Sequence, residues 1–487
     1  MVTMSGSLRW LSKHMIRLVV YGSFGAALVL LVAAVFYLDS REDLSPWHTE
    51  ILDLEFQANS DVDSLQQYLA LEEQLFAQLD AVLRTEPVSP ADRLNRFRPG
   101  SLSDPDRWSP NGNRTFILDA PDPPAAALLL HGMSDSPYSL RSVAEALNNA
   151  GVFVIGLRLP GHGTAPSGLV EVSWQDMAAA VQLAAKHIGQ RFPDRPLYLV
   201  GYSNGGALAV NYTLSAVTDP NLPRPSKLVL LSPEIGITGA AALAVWQARL
   251  GHWLGLDKLA WTDILPEYDP FKYNSFAVNA GDVAHRLTHE IQRQLDQLPA
   301  DDLRQLPPIQ AFTSVVDATV SAPALVDNLF NRLPPGNSHQ LVVYDINHRA
   351  GMEPLLKWRP TQIVDALKRQ SGNAYVLTVI TNNTEGRMLL ERTYHSDSGP
   401  IDRPIEIAWP TDVYSLSHVA LPFPPDDPLY GGLATEPSPG IALGTIALRG
   451  ERGVLNVGAD AMLRLRWNPF HTYQQQQIHA FLELGEL

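Results

Sequence analysis

The sequence predicts an α/β fold with a mostly parallel central sheet and helices on both of its faces. Two observations lead to this fold class. Short apolar stretches alternate with helix-like ones from about residue 125 to about residue 346, as is typical of strand–helix–strand units. One of them, residues 197–200, runs directly into Gly-Tyr-Ser-Asn-Gly at 201–205 and a helix-like sequence, a pattern that indicates a sharp strand-to-helix turn.

The first 40 residues contain an apolar segment. Residues 18–38 carry no charged side chain and are close to the roughly 20 residues that span a bilayer. Arg9, Lys13 and Arg17 precede this segment, so the positive-inside rule keeps the N-terminus in the cytoplasm. We expect residues 1–40 to be a single-pass anchor in the lipid bilayer, with the rest of the chain on the outer side, periplasmic or extracellular. A cleaved signal peptide is the alternative.

The composition excludes several classes of function. The 487 residues carry a formal net charge of −15 and no basic tract, which argues against a nucleic-acid partner. The chain has no cysteine, so disulfides, thiolate metal sites and a cysteine nucleophile are excluded. No His-Glu-x-x-His motif occurs, and the sequence predicts neither a metal site nor a cofactor.

Two further segments follow the anchor. Residues 41–112 are expected to be a helical spacer and loop, with Glu72 and Glu73 facing away from the apolar side of their helix. Residues 113–487 are expected to form the main domain. Within that domain, about 233–306 should be a helical cap over the active site. About 349–410 should be an insertion that precedes the closing helix.

The strands of the main domain are expected where apolar stretches are bounded by turn residues. These stretches are residues 113–118, 125–130, 152–157, 197–200, 227–232, 309–316 and 340–346. Asp317 follows one of them and His348 lies just after another, so both are candidates for the chemistry of the site.

Ser203 is the candidate nucleophile. In the Gly-x-Ser-x-Gly pattern the serine is lifted clear of the sheet on a strained turn, so Gly201 and Gly205 are needed where helix and strand crowd together. A serine hydroxyl is a weak nucleophile until a base takes its proton. The alternative is an ordinary turn in which Ser203 only caps the following helix.

Four stretches together resemble the α/β-hydrolase superfamily, and within it the branch of serine aminopeptidases, monoacylglycerol lipases and carboxylesterases. They are Leu-Leu-Leu-His-Gly at 128–132, Leu-Pro-Gly-His-Gly at 159–163, Gly-Tyr-Ser-Asn-Gly at 201–205, and the strand that ends at Asp317. The resemblance covers about residues 115–348. His131 and His162, in the first two stretches, are expected to organise their turns rather than to act in catalysis.

The resemblance also assigns the acid and the oxyanion donors. In this fold the acid follows the serine and precedes the histidine, and Asp317 stands where the family presents its carboxylate. A helix-capping role is the alternative for Asp317, and Asp345 is a less favoured second candidate. The backbone N–H of Asn204 should meet the oxyanion, and the resemblance places the second donor at Met133.

Two histidines are candidates for the base. His348 lies about thirty residues beyond Asp317, where the family usually has its histidine. His418 follows a strand-like segment and precedes a proline-rich loop, and a loop returning from the predicted insertion would bring it over the sheet. Only one of them can contact both Asp317 and Ser203. The sequence favours His418 and keeps His348 as the alternative.

The predicted function is that of a serine hydrolase that cleaves small acyl esters, lipid-like or other, through an acyl-enzyme on Ser203. A peptidase or an acyltransferase with the same three residues is the nearest alternative. The alternative from another class is a catalytically idle fold that serves as a membrane-tethered binding protein.

Overall fold

The structure is a computed structural model that describes residues 5–236, 256–335, 338–369, 374–382, 389–395, 398–434, 436–446, 456–458 and 462–485. Its strands are β1 (Phe116–Leu118), β2 (Ala126–Leu130), β3 (Phe153–Leu157), β4 (Leu197–Tyr202), β5 (Lys227–Leu231), β6 (Trp261–Asp263), β7 (Phe276–Ala277), β8 (Ile309–Ser314), β9 (His339–Tyr344), β10 (Tyr375–Thr381), β11 (Leu389–His395) and β12 (Ser398–Ile405). Its α-helices are α1 (Ser5–Asp39), α2 (Pro46–Thr49), α3 (Leu65–Leu83), α4 (Arg141–Asn149), α5 (Gly168–Glu171), α6 (Trp174–Arg191), α7 (Asn204–Thr218), α8 (Val278–Gln297), α9 (Ala300–Leu303), α10 (Ala322–Asn328), α11 (Pro360–Arg369) and α12 (His471–Leu482).

One large sheet organises the domain. Its strand order over the described residues is β1-β3-β2-β4-β5-β8-β9-β10-β11-β12. Neighbours from β3 to β10 are parallel, whereas β1, β11 and β12 run antiparallel to the strands beside them. The predicted mostly parallel sheet is confirmed. Because parallel strands end at a common edge, the residues that follow β2, β4, β5 and β8 meet there.

Apolar side chains cover both faces of the sheet. In β2, Ala126, Leu128 and Leu130 point into one core, and Ala127 and Leu129 point into the other, as the two-residue period of a strand requires. Helices α3, α6, α7 and α8 contribute to the first core, and α4 and α12 contribute to the second. The alternating strands and helices of the sequence therefore form the layered architecture that they predict.

Helix α1 contains the predicted membrane anchor. Apolar side chains on it are exposed, with Leu18 73% and Phe24 72% accessible. In the part of the chain that the structure describes, however, no helix is both long and apolar enough to cross a membrane. The transmembrane element of the predicted fold is therefore without support from the structure.

Helix α3 is held against the main domain by a buried group of charges. The Arg158 guanidinium, 1% exposed, pairs with Glu55 at 2.9 Å and with Glu72 at 3.2 Å. The Tyr68 hydroxyl donates to the Arg158 carbonyl oxygen at 2.7 Å. The prediction that Glu72 faces away from the packed side is wrong, because this carboxylate pairs with a buried guanidinium. Glu73 is exposed, as predicted.

The predicted cap is described only in part. Residues 237–255 lie outside the described residues. From residue 256 onward, the segment contains the two-stranded sheet β6–β7, followed by α8, which packs on α7. Arg41 donates to the carbonyl oxygens of Lys258 and Thr262 at 2.9 and 3.0 Å. The segment that follows α1 therefore contacts the start of the described part of the cap.

The chain after residue 349 extends the sheet. Strand β10 pairs with β9 in parallel, and β10, β11 and β12 then form an antiparallel meander. Helix α12 returns to pack beside α4. Three strands of the main sheet thus lie within the segment predicted as an insertion, about 349–410.

Candidate active site

Ser203 occupies a strained turn between β4 and α7. Its φ is 53° and its ψ is −119°, a backbone conformation that non-glycine residues rarely adopt. A Cβ on Gly201 would lie 2.5 Å from the Gly205 carbonyl oxygen, and a Cβ on Gly205 would overlap the Leu130 carbonyl group. The two glycines are therefore required by backbone crowding, as the sequence pattern predicts.

Three side chains from distant parts of the chain meet at this turn. His418 Nε2 lies 3.1 Å from Ser203 Oγ, and His418 Nδ1 lies 2.8 Å from Asp317 Oδ2. All three residues are buried. With Nδ1–H donating to the carboxylate, Nε2 is the nitrogen that can accept the serine proton.

Asp317 is kept ionised by its contacts. Its Oδ1 accepts hydrogen bonds from the backbone N–H groups of Thr319 and Val320, both at 2.8 Å. Burial alone would raise the pKa of Asp317, but the charge and hydrogen bond of His418, together with these two N–H groups, lower that pKa below its ordinary value. The carboxylate is therefore available to orient an imidazole and to stabilise its protonated form.

The turn that carries His418 is fixed by the C-terminal segment. The Ser417 hydroxyl donates to the Leu465 carbonyl oxygen. The Leu421 carbonyl oxygen accepts from Asn468 Nδ2 at 3.2 Å and from Gln474 Nε2 at 3.0 Å. These contacts hold the 3-10 turn His418–Ala420 in place over the edge of the sheet.

His348 makes a different set of contacts. Its Nε2 lies 3.0 Å from Asp345 Oδ2, and its Nδ1 lies 3.0 Å from Glu353 Oε1. The hydrogen bond with Asp345 is the largest cause that raises the pKa of His348 above its ordinary value. Both ring nitrogens are thus engaged away from Ser203, and the structure brings together Ser203, Asp317 and His418 but neither His348 nor Asp345.

The residues predicted as oxyanion donors belong to the two turns next to the nucleophile. Asn204 is the first residue of α7, so its N–H has no partner within the helix, and the helix dipole favours negative charge at this end. Met133 follows Gly132, and a Cβ on Gly132 would lie 3.1 Å from Ser203 Cβ. The turn after β2 therefore lies directly against the nucleophile.

His131 and His162 stabilise neighbouring loops. His131 Nε2 accepts from the Leu159 N–H at 3.0 Å, and His162 Nδ1 lies 2.9 Å from the Pro160 carbonyl oxygen. Burial lowers the pKa of His162 to about 4 and that of His131 well below its ordinary value. Both rings are therefore neutral parts of the loop structure, in agreement with the role expected for them.

One acidic side chain at this edge was not singled out in the sequence. Glu234 follows β5, and its backbone N–H donates to the Ser203 carbonyl oxygen at 3.0 Å. Among the described residues, its buried Oε2 has no hydrogen-bond partner. The sequence signal for Glu234 was an acidic residue shortly after a buried apolar strand. The same position lies at the start of the predicted cap, so the residue was assigned to the cap.

Within the described residues, no group of three or more histidine, cysteine, aspartate or glutamate side chains is arranged to hold a metal ion.

Comparison with known proteins identifies the domain. Residues 121–330 match the family described as serine aminopeptidase, S33. The domain has the α/β-hydrolase fold. The matched stretch of this hydrolase domain includes Ser203 and Asp317, whereas His418 lies beyond it.

The hydrolase domain is also similar to individual proteins. A thermostable monoacylglycerol lipase from Bacillus sp. (strain H-257) is 34% identical over 87 residues, which are 18% of this chain and 34% of the lipase. The chain thus spans about a third of the length of this curated relative. The monoacylglycerol lipase of Paleococcus ferrophilus is 18% identical, with a TM-score of 0.36 over 47% of this chain and 88% of that one. Est1E from Butyrivibrio proteoclasticus with bound ferulic acid is 18% identical, with a TM-score of 0.31 over 52% and 92%.

Proposed function

We propose that this chain is a serine hydrolase that cleaves carboxylic esters through an acyl-enzyme on Ser203. The observation that carries the proposal is the hydrogen-bonded series from Asp317 through His418 to Ser203, with contacts of 2.8 and 3.1 Å. The family match of residues 121–330 supports hydrolysis by a serine nucleophile.

The proposed reaction uses each group at a defined atom. Ser203 Oγ attacks the ester carbonyl carbon while His418 Nε2 takes the hydroxyl proton. The backbone N–H groups of Met133 and Asn204 stabilise the oxyanion. The carbon–oxygen bond to the alcohol then breaks, and Nε2 returns its proton to the leaving oxygen. A water molecule, activated by the same nitrogen, attacks the acyl-enzyme and releases the acid.

An open cavity beside His418 supports an ester with an apolar substituent. Its volume is about 430 Å³, within the range of ordinary small-molecule sites. Its lining is mixed, with the exposed apolar side chains of Leu355 and Trp358 and the charged side chains of Lys357 and Arg464. We propose that an apolar part of the substrate binds against Leu355 and Trp358, because covering exposed apolar side chains is favourable.

Covalent labelling tests the proposed function. A fluorophosphonate reacts with a serine hydroxyl only where a base activates it. We expect stoichiometric labelling of the full chain, with peptide mapping that assigns the adduct to Ser203. Absence of labelling under conditions where the chain is folded would contradict the proposal and would favour a catalytically idle binding protein.

We further propose that α1 anchors the chain in a lipid bilayer, with the N-terminus in the cytoplasm. The exposed apolar side chains of α1 and the basic residues Arg9, Lys13 and Arg17 support this proposal. The full chain is expected in the membrane fraction after alkaline extraction, and a chain lacking residues 1–40 in the supernatant. A C-terminal reporter that fluoresces only in the cytoplasm should stay dark; a bright reporter, or a full chain in the supernatant, would contradict the proposal.

A further inference from the structure

Glu234 lies between the two strands that carry the proposed nucleophile and acid. Strand β5 runs between β4 and β8 in the sheet, so the residues after β5 reach the edge between Ser203 and Asp317. His418 bridges these two residues. The Glu234 backbone, which donates to the Ser203 carbonyl oxygen, is therefore beside the bridge, and the charges of His418 and Asp317 both act on its carboxyl group.

The turn that carries Glu234 is held tightly. The Ser232 N–H donates to the Phe312 carbonyl oxygen at 2.7 Å, and the Glu234 N–H donates to the Ser203 carbonyl oxygen at 3.0 Å. Ser232 has a φ of 39°, a strained conformation for serine. A Cβ on Gly206 would lie 2.7 Å from Pro233 Cβ. The turn is thus packed on the start of α7 and fixes the position of Glu234.

The carboxyl group of Glu234 lacks a partner for one of its oxygens. Its Oε2 is buried and makes no hydrogen bond to the described residues. Burial raises the pKa of Glu234 to about 7; the charge of His418 acts to lower it, and the charge of Asp317 acts to raise it further. A buried carboxyl oxygen without a partner is costly, and a hydroxyl group supplied by a ligand would relieve that cost.

We propose that Glu234 is a specificity-determining residue whose carboxyl group accepts a hydrogen bond from a free hydroxyl group of the leaving alcohol. The inference rests on the proposed ester hydrolysis. The leaving oxygen takes its proton from His418 Nε2, so the alcohol departs next to the imidazole that interacts with the Glu234 carboxyl group. The preferred substrates are then esters whose alcohol carries a second hydroxyl near the ester oxygen.

Two isosteric esters test this inference in the full chain. 2-Hydroxyethyl butyrate and propyl butyrate share one acyl group, and they differ only by a terminal hydroxyl in place of a methyl group. Because both give the same acyl-enzyme, the ratio of their kcat/KM values reports recognition of the alcohol. Glu234→Leu is expected to lower the ratio of hydroxyethyl to propyl ester about tenfold, the factor that one hydrogen bond supplies.

Glu234→Gln distinguishes recognition from a general effect on the site. Glutamine keeps an acceptor oxygen, so this variant should stay within about threefold of the wild-type ratio. Glu353→Gln, which removes a carboxylate beside His348, is the matched control and should leave both rates unchanged. An unchanged ratio in Glu234→Leu, or an equal fall for both esters, would overturn the inference.

Fluorophosphonate labelling separates this inference from the proposed function. A wild-type chain that is labelled on Ser203, combined with an unchanged ratio in Glu234→Leu, overturns the role of Glu234 alone. A wild-type chain that is neither labelled nor active on either ester overturns both.

Discussion

Replacing Ser203 by alanine is expected to lower the rate of ester hydrolysis by about 10³-fold or more, because the three side chains of such a site act as a unit. The change removes one oxygen and leaves a Cβ in place, so the strained turn between β4 and α7 should be retained. The measurement is the turnover of propyl butyrate by the purified full chain. Circular dichroism and the thermal midpoint report whether the fold is preserved.

Ser215→Ala is the matched control for this experiment. Ser215 lies in the same helix as the residues after the nucleophile, and its hydroxyl donates to the Asn211 carbonyl oxygen at 3.0 Å. This variant should keep the wild-type rate within about twofold, since a local hydrogen bond of this kind contributes little. If Ser203→Ala kept more than about a tenth of the wild-type turnover, Ser203 would not be the nucleophile.

Replacing His418 by alanine is expected to abolish acylation of Ser203. Without an imidazole at 3.1 Å from Ser203 Oγ, no group accepts the hydroxyl proton, and turnover should again fall by about 10³-fold or more. The measurements are the rate of fluorophosphonate labelling and steady-state turnover. Both should be lost together, because both require the activated hydroxyl.

His348→Ala is the paired variant. His348 contacts Asp345 and Glu353, so its loss should affect local stability and leave labelling of Ser203 close to the wild-type rate. The opposite outcome, with His348→Ala inactive and His418→Ala active, would assign the base to His348.

Local sequence was sufficient to predict the nucleophile turn and the strand before Asp317, although β8 ends at Ser314 rather than at residue 316. At the turn, backbone crowding restricts Gly201 and Gly205 to glycine, so the steric requirement appears directly in the residue types. The parallel strands can also be predicted from the sequence, because consecutive residues of each must be apolar to fill a core on both faces of the sheet. Features of this kind depend on neighbours within about ten residues.

The position of the base depends on contacts that the local sequence does not contain. His348 and His418 both follow strand-like segments, and spacing alone favours His348. Only the return of the chain through β10, β11 and β12, and the contacts of Leu421 with Asn468 and Gln474, bring His418 over the edge of the sheet. The sequence therefore limits the base to two candidate histidines, and the tertiary structure shows that His418, not His348, contacts Ser203.

Two other features were missed for similar reasons. Glu72 lies on the same side of α3 as Tyr68 and Leu75. It was assigned to solvent because a carboxylate is usually exposed and nothing in the local sequence indicates its partner Arg158, 86 residues away. Helical periodicity contains no information about such a distant charge. Glu234 was assigned to the cap because the strand pattern ends there, although its backbone contacts Ser203.

The position of His418 has a consequence for chain entropy. Asp317 and His418 are 101 residues apart, whereas the usual spacing would be about thirty. For a flexible chain, closing the longer loop costs only about 1 kcal/mol more, because the cost grows with the logarithm of length. The contacts that the intervening residues make as strands of the sheet offset this loop-closure cost. The histidine of such a site can therefore lie at a distant position in the sequence and still contact the same serine and aspartate.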